Sequence, residues 1–164
     1  MQQQKFEFSY KVFDSINELP EQCRQLLIKA KGVAKQAYAP YSNFKVGAVA
    51  KLSNGEIVTG SNQENASFPV GLCAERVLLA SASSLFPDVP IEVIAITYIA
   101  KDEKNNHPVA PCGVCRQTLQ EFENRMQHPI KLILGGAVGS VYVIEGSGNL
   151  LPLAFTSEEL KKGC

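Results

Sequence analysis

An apolar run from Ile91 to Ala100, rich in β-branched residues, sets the architecture of this chain. A strand that is apolar along its whole length has to be covered on both faces, as in the centre of a layered α/β sheet. The run is far shorter than the ~18 residues that would span a bilayer. It therefore predicts a central strand with helices on both sides.

Four stretches have helical patterns. Apolar residues from Cys23 to Ala37 recur at the spacing of an amphipathic helix, between two prolines. Residues Ala74 to Leu85 are apolar nearly all round, which is typical of a buried helix. Another helix starts near Cys112, and a last one starts at Thr156, where Thr-Ser-Glu-Glu resembles a capping box.

The remaining strands are predicted from β-rich runs. Lys45 to Leu52 and Glu56 to Asn62 flank an Asn-Gly pair, which favours a tight hairpin turn because both residues accept positive φ angles. Ile130 to Leu134 and Val141 to Glu145 give two more strands. The order of elements predicts an α/β fold with one mixed sheet and helices on both faces.

A chain of 164 residues, 45% hydrophobic and 20% charged, is expected to form a single domain. We place an N-terminal extension at residues 1–20 and the domain at residues 21–162. Within the extension, Phe6, Phe8 and Tyr10 alternate with polar residues like a short edge strand.

The charge balance excludes one class of partner. Lys+Arg and Asp+Glu both number 16, so the formal net charge is zero. Binding to long nucleic acids draws on a basic surplus, so we expect no nucleic-acid partner. The first residues are polar and aromatic and do not resemble a secretory signal, so we expect a cytoplasmic protein with no membrane association.

Three cysteines stand at predicted helix starts. Cys112 and Cys115 have the spacing at which two sulfurs bind one tetrahedral zinc ion, and Cys73 begins the preceding helix. Three thiolates leave a fourth position open, as in catalytic zinc sites. The pattern alone also fits a redox pair or cysteines with no shared role. Glu75 is a candidate proton carrier, but residues two apart do not share a helix face, and a helix dipole also explains an acidic residue there.

Several blocks together resemble a known family. Cys73-Ala74-Glu75-Arg76, followed by Pro111-Cys112-Gly113-Val114-Cys115-Arg116, resembles the motif of the zinc-dependent cytidine deaminases with three cysteine ligands. Residues 38–48, 62–67 and 150–155 resemble further family segments, in family order. The resemblance covers about residues 24 to 160, although Gln63 stands where the family usually has a small apolar residue.

The resemblance implies a role for each matching residue. Cys73, Cys112 and Cys115 would hold one zinc ion per subunit, and Glu75 would shuttle protons. Arg76 would compensate the charge of the thiolates by hydrogen bonding to the ligand sulfurs. The residues implied in substrate binding are Phe44 beside the nucleoside, Asn62 and Glu64 at the ribose hydroxyl, and Phe155, which would reach into a neighbouring subunit.

The resemblance also implies the fold and the activity. The expected fold is a three-layer α-β-α sandwich with a mixed five-stranded sheet, assembled as a homotetramer. The expected reaction is hydrolytic deamination of cytidine and 2′-deoxycytidine to uridine and 2′-deoxyuridine, with release of ammonia, in pyrimidine salvage. Deamination of nucleotides or of modified aminopyrimidines, and a zinc-stabilised module without turnover, are the alternatives.

Overall fold

Six strands and four α-helices make up the parts of the chain that the computed structural model describes, residues 1–100 and 106–161. The helices are α1 (Glu21–Ala34), α2 (Ala74–Leu85), α3 (Gly113–Met126) and α4 (Ser157–Lys161). The strands are β1 (Lys11–Phe13), β2 (Lys45–Leu52), β3 (Ile57–Ser61), β4 (Ile91–Ile99), β5 (Lys131–Gly135) and β6 (Val141–Ile144). Within this described part, no helix is long and apolar enough to cross a membrane.

All six strands belong to one mixed sheet, in the order β1-β6-β5-β4-β2-β3. Strands β4 and β5 are parallel and are joined through α3, whereas the other neighbouring pairs are antiparallel. Strand β4 therefore lies inside the sheet, between β5 and β2.

Side chains of β4 alternate between two apolar layers, which confirms the prediction from its sequence. Ile94 and Ile96 pack with residues of α2 and α3, such as Leu78 and Leu119. Val93 and Ala95 belong to the opposite layer, which includes the apolar side of α1. Helices on both faces make the predicted three-layer sandwich, and burial on both sides explains why β4 is apolar apart from Glu92, Thr97 and the Tyr98 hydroxyl.

The edge of the sheet differs from the expectation of five strands. The sixth strand is β1, which pairs antiparallel with β6. The prediction placed an edge strand at Phe6 to Tyr10, but the strand begins at Lys11. The rings of Phe6, Phe8 and Tyr10 instead contact one another in sequence, and Tyr10 contacts Tyr142 with centroids 5.1 Å apart.

The Lys11 ammonium donates to Glu145 at 2.9 Å, so an ion pair accompanies the backbone pairing of β1. The division into an extension (1–20) and a domain (21–162) stays a prediction, and its end at residue 162 lies outside the described residues.

Helix α1 ends three residues earlier than its periodicity predicts. The amides of Lys35, Gln36 and Ala37 each donate to the carbonyl three residues back, so the last turn tightens instead of continuing as an α-helix. The hairpin turn of β2 and β3 is as predicted, with Gly55 at φ 88°. The capping interaction at Thr156 is also confirmed, because its backbone amide donates to Glu159 at 2.7 Å.

Close packing of α2 on the sheet brings its first turn against β3. A Cβ atom added to Gly60 of β3 would lie 2.4 Å from the carbonyl oxygen of Ala74 and 2.5 Å from the amide nitrogen of Leu78. These distances are too short for any residue with a side chain. Glycine on β3 is therefore what allows α2, and Cys73 at its start, to lie so close to the sheet.

Candidate active site

Three cysteine sulfurs form a cluster at the starts of α2 and α3. The sulfur of Cys112 lies 3.8 Å from that of Cys73 and 3.5 Å from that of Cys115, and all three lie within 4.8 Å of one another. Cys73 and Cys112 are 39 positions apart in the chain, so the packing of two helices brings them together.

Helix capping explains how the sulfurs come to face one another. Cys73 is the N-cap of α2 and Cys112 is the N-cap of α3, both with extended backbone angles. Neither side chain makes a capping hydrogen bond to its own helix, so both remain directed to the cluster. Cys115 lies in the first turn of α3, where the positive end of the helix dipole favours thiolate.

The distances fit a zinc ion. Sulfurs held about 2.3 Å from zinc in a tetrahedron lie about 3.8 Å apart, close to the spacing of Cys73 and Cys112. Thiolates are also the ligands that zinc prefers in this number and spacing. Three protein ligands leave one coordination position for a reactant, so the cluster fits a catalytic zinc better than a closed structural one.

The thiols interact strongly with one another. A hydrogen bond from Cys115 lowers the pKa of Cys73 to about 6, although burial acts in the opposite direction. The same contact, together with burial, raises the pKa of Cys115. Arg76 adds to the stabilisation of the Cys73 thiolate through its charge. These contacts favour the thiolate form of Cys73, which is the form that binds a metal ion.

Glu75 is a buried carboxyl group beside the cluster. The residue is 6% exposed, and this burial raises the pKa of its carboxyl group. Because Cys73 is the cap and lies outside the helix, Glu75 follows in the first turn, and both residues line the same cavity. The spacing of the two residues left open whether Glu75 faces the cysteines, and the capping geometry explains how it does.

A cavity of about 360 Å³ opens above the cluster. This volume lies in the range of about 300–1,000 Å³ that is typical of small-molecule sites. Its described lining contains two acidic residues, Glu64 and Glu75, and no lysine, arginine or histidine. The wall includes the end of β4 (Ile96, Thr97 and Tyr98) and the cysteines Cys73 and Cys112.

Three residues predicted from the sequence to bind substrate, Phe44, Asn62 and Glu64, line this cavity together. The Asn62 amide accepts from the backbone nitrogen of Val46 at 2.7 Å and donates to the carbonyl of Phe44 at 2.9 Å. Glu64 accepts from the amides of Tyr41 and Ser42 and from the Ser42 hydroxyl. Both side chains therefore brace the loop that carries Phe44.

Two predicted site residues lie outside the described lining of the cavity. Arg76 is half-buried on α2, and its described interaction with the cluster is the charge effect on Cys73. Phe155 is 59% exposed in the segment before α4, and its carbonyl accepts from the Gln117 side chain at 2.8 Å. Phe155 thus does not contribute to the cavity of its own subunit.

The motifs gave no task to two further residues, Tyr98 and Arg116. Tyr98 lines the cavity and stacks on Phe44. Arg116 donates to the carbonyls of Pro111 at 2.8 Å and Leu150 at 3.0 Å, which ties the approach to Cys112 to the C-terminal segment. Nothing in the sequence indicated a role for Tyr98, because core strands often have an aromatic residue near their end.

Known proteins are similar to this chain in sequence and fold. The family model for the cytidine and deoxycytidylate deaminase zinc-binding region matches residues 20–128. The chain belongs to this family. A cytidine deaminase of Halalkalibacterium halodurans is 40% identical over 138 residues, which are 84% of this chain and 97% of that enzyme. A cytidine deaminase of Sporosarcina psychrophila is 36% identical over 136 residues, 83% of this chain and 93% of that enzyme.

A solved structure agrees with the fold. The crystal structure of cytidine deaminase from Burkholderia pseudomallei superposes with a TM-score of 0.70 at 37% identity, covering 84% of this chain and all (100%) of that one. The chain is therefore a zinc-dependent hydrolase of the cytidine deaminase class, with one zinc ion per subunit. The expectation of an enzyme is confirmed, and the alternative of a zinc-stabilised module without turnover is not.

Proposed function

We propose that this protein hydrolyses cytidine and 2′-deoxycytidine to uridine and 2′-deoxyuridine, releasing ammonia. The observation that carries the proposal is a single cavity that borders both the cysteine cluster and the buried Glu75. The described lining of this cavity contains no basic residue. A 5′-phosphate is normally bound by arginine, lysine or a set of backbone amides, so this lining favours a free nucleoside over a nucleotide.

The proton chemistry is assigned to Glu75. Cys73, Cys112 and Cys115 would hold the zinc ion, which when bound would lower the pKa of a water molecule toward neutrality. As water adds to C4 of cytosine, the Glu75 carboxylate takes one of its protons and delivers it to N3 of the ring. Glu75 then takes the proton of the new C4 hydroxyl and passes it to the amino group, which leaves as ammonia when the C4–N bond breaks. Its burial at the cavity wall, beside two of the cysteines, supports this role.

Recognition of the nucleoside is assigned to Phe44, Asn62 and Glu64. Each amide or carboxylate keeps hydrogen-bonding capacity beyond its bonds to the loop: Asn62 has a second N–H, and the Glu64 oxygens have further lone pairs. These groups bind the ribose hydroxyl, and the Phe44 ring packs beside the nucleoside. Buried polar groups left unpaired would penalise substrates that lack the matching hydroxyl.

Arg76 is assigned to tuning the thiolates. Three thiolates give zinc a net negative set of ligands, which makes its water less acidic, and a nearby guanidinium offsets part of that charge. The effect of Arg76 on the pKa of Cys73 supports its proximity. An Arg76→Gln variant is expected to retain zinc and to lose about tenfold in kcat. Unchanged kcat in a zinc-replete variant would remove this role.

The assembly is proposed to be a homotetramer in which Phe155 reaches a neighbouring site. The exposure of Phe155 (59%) and of Leu153 (104%) supports a covered position in an assembly, because exposed apolar neighbours mark interaction surfaces. In the cell, the reaction would serve pyrimidine salvage in the cytoplasm. Growth of a pyrimidine-requiring, deaminase-deficient strain on cytidine, restored by this gene, measures that role.

The decisive experiment measures conversion of cytidine to uridine by the zinc-loaded protein beside its Glu75→Gln variant. The variant is expected to bind zinc in full and to lose kcat by about 10²–10⁴-fold, because the amide cannot carry a proton. Glu121→Gln is the matched control, since Glu121 is exposed on α3 and does not line the cavity. A zinc-loaded wild type that is silent on both nucleosides contradicts the proposal.

A further inference from the structure

Tyr98 joins two parts of the cavity. The residue is 4% exposed near the end of β4 and lines the cavity. Its ring stacks on Phe44 with centroids 5.0 Å and planes 22° apart. Its hydroxyl donates to the backbone carbonyl of His107 at 3.1 Å. One side chain therefore contacts both the proposed nucleoside wall and the segment that leads to Cys112.

Phe44 depends on a neighbour for the orientation of its ring. The residue lies in the loop before β2, and its backbone is held by Asn62 and by the Ser42 hydroxyl, which accepts from the Phe44 amide at 2.9 Å. These bonds fix the main chain and leave the side chain free to rotate. The stacked ring of Tyr98 covers one side of Phe44, and aromatic pairs prefer such an offset-stacked geometry.

Tyr98 is itself held on three sides. It lies opposite Val46 in the pairing of β2 with β4, so its backbone position is set by the centre of the sheet. The His107 ring packs edge-on against it, with centroids 6.2 Å apart. Burial raises the pKa of the Tyr98 hydroxyl, so it stays protonated and donates to His107 at physiological pH. Tyr98 therefore provides a rigid support for a side chain on a loop.

We propose that Tyr98 is a positioning residue for substrate binding, which holds the Phe44 ring at the angle that packs beside the nucleoside. The inference rests on the proposed function, because it places a nucleoside in this cavity. Because Tyr98 acts through Phe44, removing its ring weakens binding of the substrate and leaves proton transfer by Glu75 unchanged. Its loss raises KM without lowering kcat.

The first test compares Tyr98→Leu and Tyr98→Phe with wild type. Tyr98→Leu, which removes the ring, is expected to raise KM for cytidine about tenfold with kcat within about twofold. Tyr98→Phe keeps the ring and loses only the hydroxyl, so KM is expected to rise about threefold. The matched control is Tyr142→Leu. Tyr142 lies on β6, contacts Tyr10 and does not line the cavity. The KM of this variant is expected to equal that of wild type.

The second test asks whether Tyr98 acts through Phe44. In a Phe44→Leu background, adding Tyr98→Leu is expected to leave KM unchanged, because the supported ring is already absent. Calorimetric titration of cytidine into the same variants on a Glu75→Gln background measures binding without turnover. The dissociation constants are expected to change by the same factors as KM.

The outcomes separate this inference from the proposed function. If wild type converts cytidine and Tyr98→Leu has the same KM as wild type, the inference alone is overturned. The same holds if the effects of Phe44→Leu and Tyr98→Leu on KM are additive. A wild type that neither binds nor converts cytidine overturns both. If Tyr98→Leu does not fold, shown by loss of bound zinc and of a cooperative melting transition, Tyr98→Phe decides. A threefold rise in KM that disappears on Phe44→Leu supports the inference, and a rise that persists there contradicts it.

Discussion

Glu64 shows how one carboxylate can both shape a loop and prepare it for a ligand. Its oxygens accept from the Ser42 hydroxyl and from the amides of Tyr41 and Ser42. The hydrogen bond from the Ser42 hydroxyl is the largest of the effects that lower the pKa of Glu64. A carboxyl group with a lowered pKa binds fewer protons in the folded state than in the unfolded state. Its stabilising effect is present above the unfolded pKa and is lost as pH falls through the folded one.

This direction gives a pH prediction. Glu64 stays ionised through the range of about pH 5 to 8, so KM for cytidine is expected to be flat across it and to rise only at lower pH. Steady-state kinetics at constant ionic strength measures the profile, and circular dichroism at each pH checks that the protein is folded. Glu64→Gln is expected to raise KM throughout. A KM that climbs between pH 7 and pH 5 in the wild type would contradict the assignment.

Asn62 shows that a residue in a binding motif can have a structural task as well. Its amide hydrogen-bonds to the carbonyl of Phe44 in the loop and to the backbone nitrogen of Val46 at the start of β2. Substitution of Asn62 would therefore disturb the loop as well as any contact to ribose. For this reason, substitutions of Glu75 and Tyr98 distinguish an effect on proton transfer from an effect on substrate positioning more clearly than a substitution of Asn62 does.

Helix α2 carries two of the residues on which the proposal depends, Cys73 at its cap and Glu75 in its first turn. Its distance from the sheet depends on Gly60, because a Cβ atom there would collide with the backbone of Ala74 and Leu78. Backbone atoms cannot rotate away as the end of a flexible side chain can. The glycine therefore matters to the site although it does not line the cavity.

A Gly60→Ala variant is expected to lose about 1–3 kcal/mol of unfolding free energy, because overpacking moves α2 away from the sheet. The same movement displaces Cys73 from Cys112, so zinc affinity is expected to fall as well. Urea unfolding and competition with a zinc-binding dye measure the two effects.

Gly32→Ala on α1 is the control for this variant. No atom outside the local helix lies within 4 Å of the added Cβ, and alanine is the better helix former, so a gain of up to about 1 kcal/mol is expected. A Gly60→Ala protein as stable as wild type, with undiminished zinc affinity, would show that α2 is not held at this distance by the glycine.

Helix α3 links the cluster to the C-terminal segment. Arg116 and Gln117, directly after Cys115, bond the carbonyls of Leu150 and Phe155. Near the other end of the helix, Glu123 accepts from the amides of Ile130, Ser147 and Gly148. The helix that supplies two cysteines thus also fixes the segment that presents Phe155. In the proposed homotetramer, this segment presents Phe155 to a neighbouring subunit.

The proposed homotetramer is tested by mixing defective subunits. Alone, Glu75→Gln is expected to be inactive and Phe155→Ala to lose about tenfold in kcat/KM. Co-expressed, they can form sites with an intact Glu75 from one subunit and an intact Phe155 from its neighbour. The activity of the mixture is then expected to exceed the sum of the two by several-fold.

The control for mixing is Phe155→Ala with a Glu75→Gln/Phe155→Ala double variant, which supplies no intact Phe155 and is expected to give no gain. Light scattering gives the mass of the assembly in each case. A fully active monomer, or equal activities in the two mixtures, would remove the role of Phe155 across an interface.

Much of the fold was predictable because its determinants are local. Covered strands are apolar along their length, Asn-Gly pairs turn hairpins, and helical periodicity is visible within a few turns, so β4, the β2–β3 hairpin and α2 were placed correctly. The cluster of three cysteines was predictable for another reason: the cysteine spacing and the order of the blocks resemble those of a family. Local patterns failed at the N-terminus, where the aromatic alternation of residues 6–10 was read as the strand that occurs at Lys11–Phe13.

The remaining features depend on distances between segments far apart in the chain, which no local pattern contains. The direction of Glu75 follows from Cys73 being a helix cap. The sixth strand exists because β6 offers unpaired backbone groups to a segment about 130 residues away. The support of Phe44 by Tyr98 arises where a loop crosses the end of β4. The resemblance of its motifs to a known family indicated the class of reaction, whereas the packing of helices on the sheet decided which side chains share the cavity.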